Sequence, residues 1–126
     1  MNPLCHLLAL SAYVPDTVLT NSDLAKVVDT NDEWIVSRTG IKQRHRLDDA
    51  ENASDLGLKA ARKALVEAGM DAGELTHIVG ATCTPDVLPP SVACIIAGHL
   101  RADQVMALDR HAARSGLHDW TSLCTS

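Results

Sequence analysis

Trp34 and Arg38 stand four residues apart in DTNDEWIVSRTGIKQR, residues 29–44, on what the local pattern predicts is one short helix. At that spacing both side chains project from the same helical face. A flat indole beside a planar cation can grip a flat, negatively charged ligand such as a nucleotide, by stacking and by charge. Alternatively, Trp34 packs into the core while Arg38 is a solvated charge. Spacing alone leaves both readings open.

A second candidate is LDRHAARSG, residues 108–116, where an apolar strand runs into a small-residue segment. A strand-to-helix junction presents its side chain to a helix N-terminus, where backbone donors and the positive dipole end stabilise an anion. Such a position suits an anionic side chain, such as a thiolate. Within the segment, Asp109 reads as a structural hydrogen-bonder rather than a general base, and His111 as a surface residue, or one supporting the site from behind, rather than a ligand. The cysteines at 5, 83, 94 and 124 show no CxxC spacing and the six histidines form no HxxxH pair, so neither a metal site nor a disulfide framework is signalled. Cys83 and Cys94 are expected to be small core residues, at a strand end and in an apolar helix. Cys124 has no partner residue to support a reactive role.

The elements that must hold these residues follow from periodicity and caps. Residues 4–12 read as a buried strand, and Asn21 or Ser22 caps a short helix through Val28. Thr30 and Glu33 form a T-x-x-E capping box for the Trp34 helix, which Gly40 ends. Residues 41–47, charged and alternating, read as an edge strand or exposed arm. Asn52 caps a long helix through Ala68 with Leu58, Ala61, Leu65 and Ala68 on its buried face, and Gly69 stops it. A turn over Asp71–Leu75 leads to a strand at 76–82 of the continuous apolar kind found in parallel sheets. Pro89 and Pro90 open a helix over 91–100, and QVMALD, 104–109, is the next strand. Alternating strands and helices predict an α/β fold with right-handed crossovers.

Composition narrows the function. With 126 residues, 46% of them hydrophobic, the chain is the size of one ordinary domain. Its aromatics are Tyr13, Trp34 and Trp120, with no Phe, so the core must be built from Leu, Val, Ile and Ala. A net charge of -5 argues against nucleic acid or an anionic membrane as partner. The apolar start has no preceding Lys or Arg, which argues against a signal peptide, and no apolar run approaches the roughly 20 residues of a membrane helix. Reduced thiols in the cytoplasm are the plain expectation.

The segments VPDTVLTNSDLAKVVDTNDEWIVSRTGIK, ASDLGLKAARKALVEAGMD, ATCTPDVLPPSVAC and ADQVMALD resemble, in this order, the N-terminal part of β-ketoacyl-acyl-carrier-protein synthase III. The resemblance runs from about residue 9 to Gly116. It implies a thiolase-like α/β fold, here an incomplete N-terminal half-domain over residues 1–116 with a mostly parallel mixed sheet and flanking helices. It also implies the family's reaction, condensation of acetyl-CoA with malonyl-acyl-carrier protein to start fatty-acid synthesis. No cofactor is implied beyond the coenzyme A thioester as substrate; the implied partners are acyl-carrier protein and a second copy in a homodimer. By motif, Trp34 and Arg38 fall where the family lines its coenzyme A entrance, with the tryptophan against adenine and Thr30 nearby.

The chain also departs from that pattern. Arg114 occupies the position of the acyl-accepting cysteine, and a guanidinium stays protonated near neutrality and cannot be acylated in its place. Ala9 and Ser11 replace a Gly-x-Gly, and Pro89 stands where many members carry an aromatic residue. The family's catalytic histidine and asparagine have no match here. Residues 117–126, LHDWTSLCTS, lack helical periodicity and are expected to be a non-native tail following a frameshift after Gly116. The resemblance therefore implies a synthase-family chain that is itself inactive. Its rivals are a non-catalytic module that binds coenzyme A or dimerises, and a piece of a related polyketide or quinolone priming synthase.

Overall fold

The computed structural model describes residues 6–111, in two compact units. Arg114, the expected boundary at Gly116, the tail 117–126, Cys5 and Cys124 lie outside the described residues.

The smaller unit comprises residues 14–51. Strand β1, Val18–Thr20, pairs antiparallel with β2, Gln43–His45, in a register that sets Leu19 opposite Arg44. Helix α1, Asn21–Leu24, is capped by Thr20, whose hydroxyl accepts from the Asp23 N–H while the Asp23 carboxylate receives the Thr20 N–H at 3.1 Å. The expected cap was one or two residues later and the helix longer; only turns continue to Val28. Helix α2, Asp32–Thr39, is capped by Asn31 and not by Thr30: the Trp34 N–H donates to Asn31 Oδ1 at 2.8 Å. An amide carbonyl one residue on already supplies that acceptor, so the Thr30 hydroxyl is left over. Gly40 ends the helix at φ 71, as expected.

At the centre of this unit lies Asn21, only 1% exposed. Its amide nitrogen donates to Asp32 Oδ1 at 2.7 Å and to the Ile41 carbonyl at 2.8 Å, and its oxygen accepts from an Arg44 guanidinium nitrogen at 2.8 Å. A buried amide left unpaired is costly, and a fully bonded one joins α1, α2 and β2 in a single arrangement.

In the larger unit, helix α3 spans Ala53–Ala68, with Asn52 at its cap and Gly69 at its left-handed stop. Leu58 is buried and Ala61, Leu65 and Ala68 are half-buried, so the expected stripe faces inward. A 3-10 turn, Ala72–Glu74, leads to β3, His77–Ala81. Helix α4, Val92–Leu100, returns the chain to β4, Met106–Arg110, which pairs parallel to β3 with Gly80 opposite Asp109. Ser91, accepting from the Cys94 N–H, is the cap of α4; Pro89 and Pro90 precede the helix instead of opening it. Leu58, Val92 and Ile96 form the core, with Ala61 and Leu100 against them. Gly57 permits this approach of α3 to α4, because a Cβ there would lie 2.8 Å from Ile96 Cδ1.

The fold is α/β, with short sheets and flanking helices. The described strands lie in two separate two-stranded sheets, one antiparallel and one parallel, where a single mixed sheet was expected. Residues 6–12 form no strand. Their apolar run implies burial in a sheet, but β3 and β4 pair only with each other among the described residues, and Leu7, Leu8 and Leu10 stay exposed. Ser11 Oγ instead donates to the Ala60 carbonyl at 2.9 Å, and Lys59 Nζ to the Tyr13 hydroxyl at 3.0 Å.

Both described thiols overturn their expectation, being exposed. Helix α4 buries Val92, Ala93, Ile96 and Ala97, while Cys94 stays exposed with its thiol 4.0 Å from the Ala107 carbonyl of β4, and Cys83 lies beyond the end of β3. No helix among the described residues is long and apolar enough to cross a membrane.

Candidate functional site

Helix α2 carries the first candidate pair on its outer face. Only Ile35 of the helix is buried, so the side chain that anchors it is the neighbour of Trp34 and not Trp34 itself. The indole is 54% exposed, and the Arg38 guanidinium carbon lies 5.1 Å from its ring centroid. A cation over an aromatic face at this range is attractive by about 0.5–1 kcal/mol at an exposed site. The core-packing reading of Trp34 is thereby excluded: the ring is held at the surface with a cation stacked on it.

Trp34 also borders a groove of about 450 Å³ within the smaller unit. Leu24, Val28 and Ile35 give it an apolar lining, and Thr30, Arg44 and Asp29 add polar groups. The Thr30 hydroxyl oxygen is buried with no hydrogen-bond partner among the described residues. Such a group carries a desolvation cost that a ligand acceptor or donor can relieve. Thr30 and Trp34 are thus brought together on one groove, while Arg38 stacks on the indole without lining that groove.

Arg44 escaped notice in the sequence, where KQRH reads only as charged and alternating. Its signal was that alternation itself: in β2 the pattern exposed, half-buried, exposed turns Arg44 away from Gln43 and His45 and toward Asn21. Asn21, considered only as a helix cap, is the buried residue that holds it.

At the edge of the same unit Asp23 accepts from Lys26 Nζ at 2.8 Å and from the Thr20 hydroxyl at 2.6 Å. Lys26, then the Thr20 hydroxyl and amide, hold its carboxyl well below the ordinary carboxylate value.

The strand-to-helix chemistry expected around residue 114 lies outside the described residues, but its approach is defined. The Asp109 carboxylate receives the Val92 N–H at 2.7 Å and the Ala93 N–H at 2.8 Å, occupying the N-terminus of α4. Asp109 is therefore the structural hydrogen-bonder its position implied. His111 is exposed. Among the described residues no cluster of three His, Cys, Asp or Glu could hold a metal ion.

No protein-family model matches the chain. It is 54% identical over 112 residues to β-ketoacyl-[acyl-carrier-protein] synthase III of Nitratidesulfovibrio vulgaris, covering 89% of this chain and 34% of that protein. The protein of the same name from Clostridium novyi is 46% identical over 104 residues, 82% of this chain and 32% of the relative. Among solved structures, 3-oxoacyl-[acyl-carrier-protein] synthase III of Aquifex aeolicus superposes with a TM-score of 0.87 at 42% identity, over 92% of this chain and 37% of that one. The priming β-ketosynthase of the R1128 polyketide pathway gives 0.89 at 32% identity, over 94% and 35%. The chain thus spans about a third of the length of the curated relatives it matches.

Proposed function

We propose that this chain, homologous to β-ketoacyl-[acyl-carrier-protein] synthase III over about a third of that protein's length, forms the coenzyme A-gripping part of such a condensing enzyme and is itself without condensing activity. The observation that carries the binding half is the exposed Trp34 indole under the Arg38 guanidinium, beside the unpartnered Thr30 hydroxyl. An adenine stacking on the indole covers about 100 Å² of otherwise wet apolar surface, worth roughly 2.5 kcal/mol before ordering costs. Arg38 contributes charge toward phosphate, and Thr30 a hydroxyl for which the folded chain has no other use.

In the synthase reaction so proposed, the acyl group moves from the coenzyme A sulfur to a cysteine and is then condensed with malonyl-acyl-carrier protein. Arg114 stands at that cysteine's position. Its guanidinium offers no electron pair to a thioester carbonyl at neutral pH, so no acyl-enzyme forms. Arg114→Cys does not restore condensation, because a lone thiol without a matching histidine and asparagine lacks the groups that lower the later barriers.

The likeness to a polyketide priming synthase favours a second reading on one point, the acyl donor, which the pocket outside these residues would select. Two experiments test the proposal. Saturation-transfer NMR from the chain to coenzyme A should light up the adenine protons ahead of the pantetheine. Incubation with labelled acetyl-CoA and malonyl-acyl-carrier protein should give no acetoacetyl product, with or without Arg114→Cys; product above the enzyme-free control contradicts the inactive assignment.

A further inference from the structure

We propose that Arg44 is an anion-binding residue of the groove, contacting a phosphoryl oxygen of the nucleotide, with Asn21 as the residue that positions it; this rests on the coenzyme A reading. Arg44 is half-buried and lines the groove together with Thr30 and Trp34. A guanidinium has five N–H donors, and among the described residues Arg44 uses one of its nitrogens on Asn21 Oδ1 and takes part in no ion pair. Half-buried cations ordinarily face a carboxylate. Here the bonded link to a carboxylate runs through an amide, since Asp32 accepts from Asn21 while Asn21 accepts from Arg44.

That arrangement fixes the guanidinium without neutralising it. Both N–H donors of Asn21 are committed, to Asp32 and to the Ile41 carbonyl, so its oxygen can point only one way, at Arg44. The fork that remains is pre-oriented for a tetrahedral oxyanion, the geometry arginine recognises best. Asp29 adds one carboxylate to the groove lining, which repels an anion placed beside it and leaves Arg44 as the cation of that lining. Arg38, stacked on the indole outside the groove, and Arg44, inside it, are then two separate cationic contacts for one ligand whose base lies on Trp34.

The test compares adenosine 3′,5′-bisphosphate with adenosine, following the Trp34 indole N–H of the full chain by NMR in a Trp120→Leu background. Arg44→Ala should weaken the bisphosphate about tenfold and leave adenosine within about twofold. Arg44→Lys, which keeps the charge and spares the fold, should cost the bisphosphate about threefold and adenosine nothing. Asn21→Ala should reproduce the selective loss in a less than tenfold form. If both ligands shift Trp34 but every Arg44 variant weakens them equally or not at all, the assignment of Arg44 is overturned while the coenzyme A reading stands. If neither ligand shifts Trp34 in the unsubstituted chain, both fall.

Discussion

The Asp109 carboxylate and the Val92 amide meet at 2.7 Å across the β4–α4 junction, and with Ala93 beside it they join the parallel sheet to the helix that packs on it. Opposite Asp109 in the ladder sits Gly80, and nothing larger fits: a Cβ there would stand 2.6 Å from Asp109 Oδ1 and 3.4 Å from the Ala93 nitrogen.

Gly80→Ala should therefore push the carboxylate off the helix and destabilise the larger unit by about 2 kcal/mol. Asp109→Ala should cost a similar amount, about 2 kcal/mol, by leaving two helix N–H groups unpaired. Urea titration followed by circular dichroism checks both; the double variant should lose little more than either single one, since both act on one contact.

Exposed apolar surface gives the next expectation. Leu7, Leu8 and Leu10 carry no strand pairing and stay open to solvent, and Leu7 and Leu8 border an apolar cavity of about 350 Å³ lined also by Leu65, Ile78 and Ile96. Surface of this kind, beside sheet edges that no strand among the described residues covers, favours association. Light scattering should show the chain self-associating as its concentration rises, and Leu8→Lys with Leu10→Lys should reduce that. A sharp, reversible melt of a soluble monomer would count against it.

Asp23 sets a pH dependence. Its folded value is depressed by Lys26 and Thr20, so the interaction is fully present above the unfolded carboxylate value of about 3.9 and disappears only as pH falls through the folded value. Both side chains of the ion pair are substantially solvent-exposed, so the effect is local and not global. Carboxyl carbon shifts should show Asp23 still ionised at about pH 3, where an ordinary aspartate is mostly protonated. Lys26→Ala should move its midpoint upward; an ordinary midpoint in the unsubstituted chain would show the contact to be absent in solution.

Much of this was legible in the sequence where one signal acted alone. Gly40 and Gly69 stop their helices, Asn52 caps α3, and the stripe through Leu58 faces inward because nothing competes with those local preferences. Two acceptable caps in a row defeated the reading at residues 30 and 31, since Thr30 and Asn31 are equally plausible and geometry chose the second. Residues 6–12 failed for a different reason: a strand exists only with a partner, which apolar periodicity cannot supply. Cys94 is exposed against expectation because nearly every position of α4 is apolar, so composition does not say which face is buried. Helical spacing puts Trp34 and Arg38 on one face, as their stacking shows, but does not say whether that face is core or surface, whereas Arg44 depends on Asn21, distant in sequence and joined to it only by folding.

Coenzyme A binding by this chain depends most directly on Trp34 acting as a ligand platform. Fluorescence of Trp34, isolated by Trp120→Leu, should be quenched by coenzyme A with a dissociation constant of about 1 mM, roughly 4 kcal/mol of binding, and Arg38→Ala should weaken it about threefold to fivefold, in keeping with a contact of about 1 kcal/mol. An emission unchanged up to about ten times that concentration, or quenching that Arg38→Ala leaves unaltered, would contradict it.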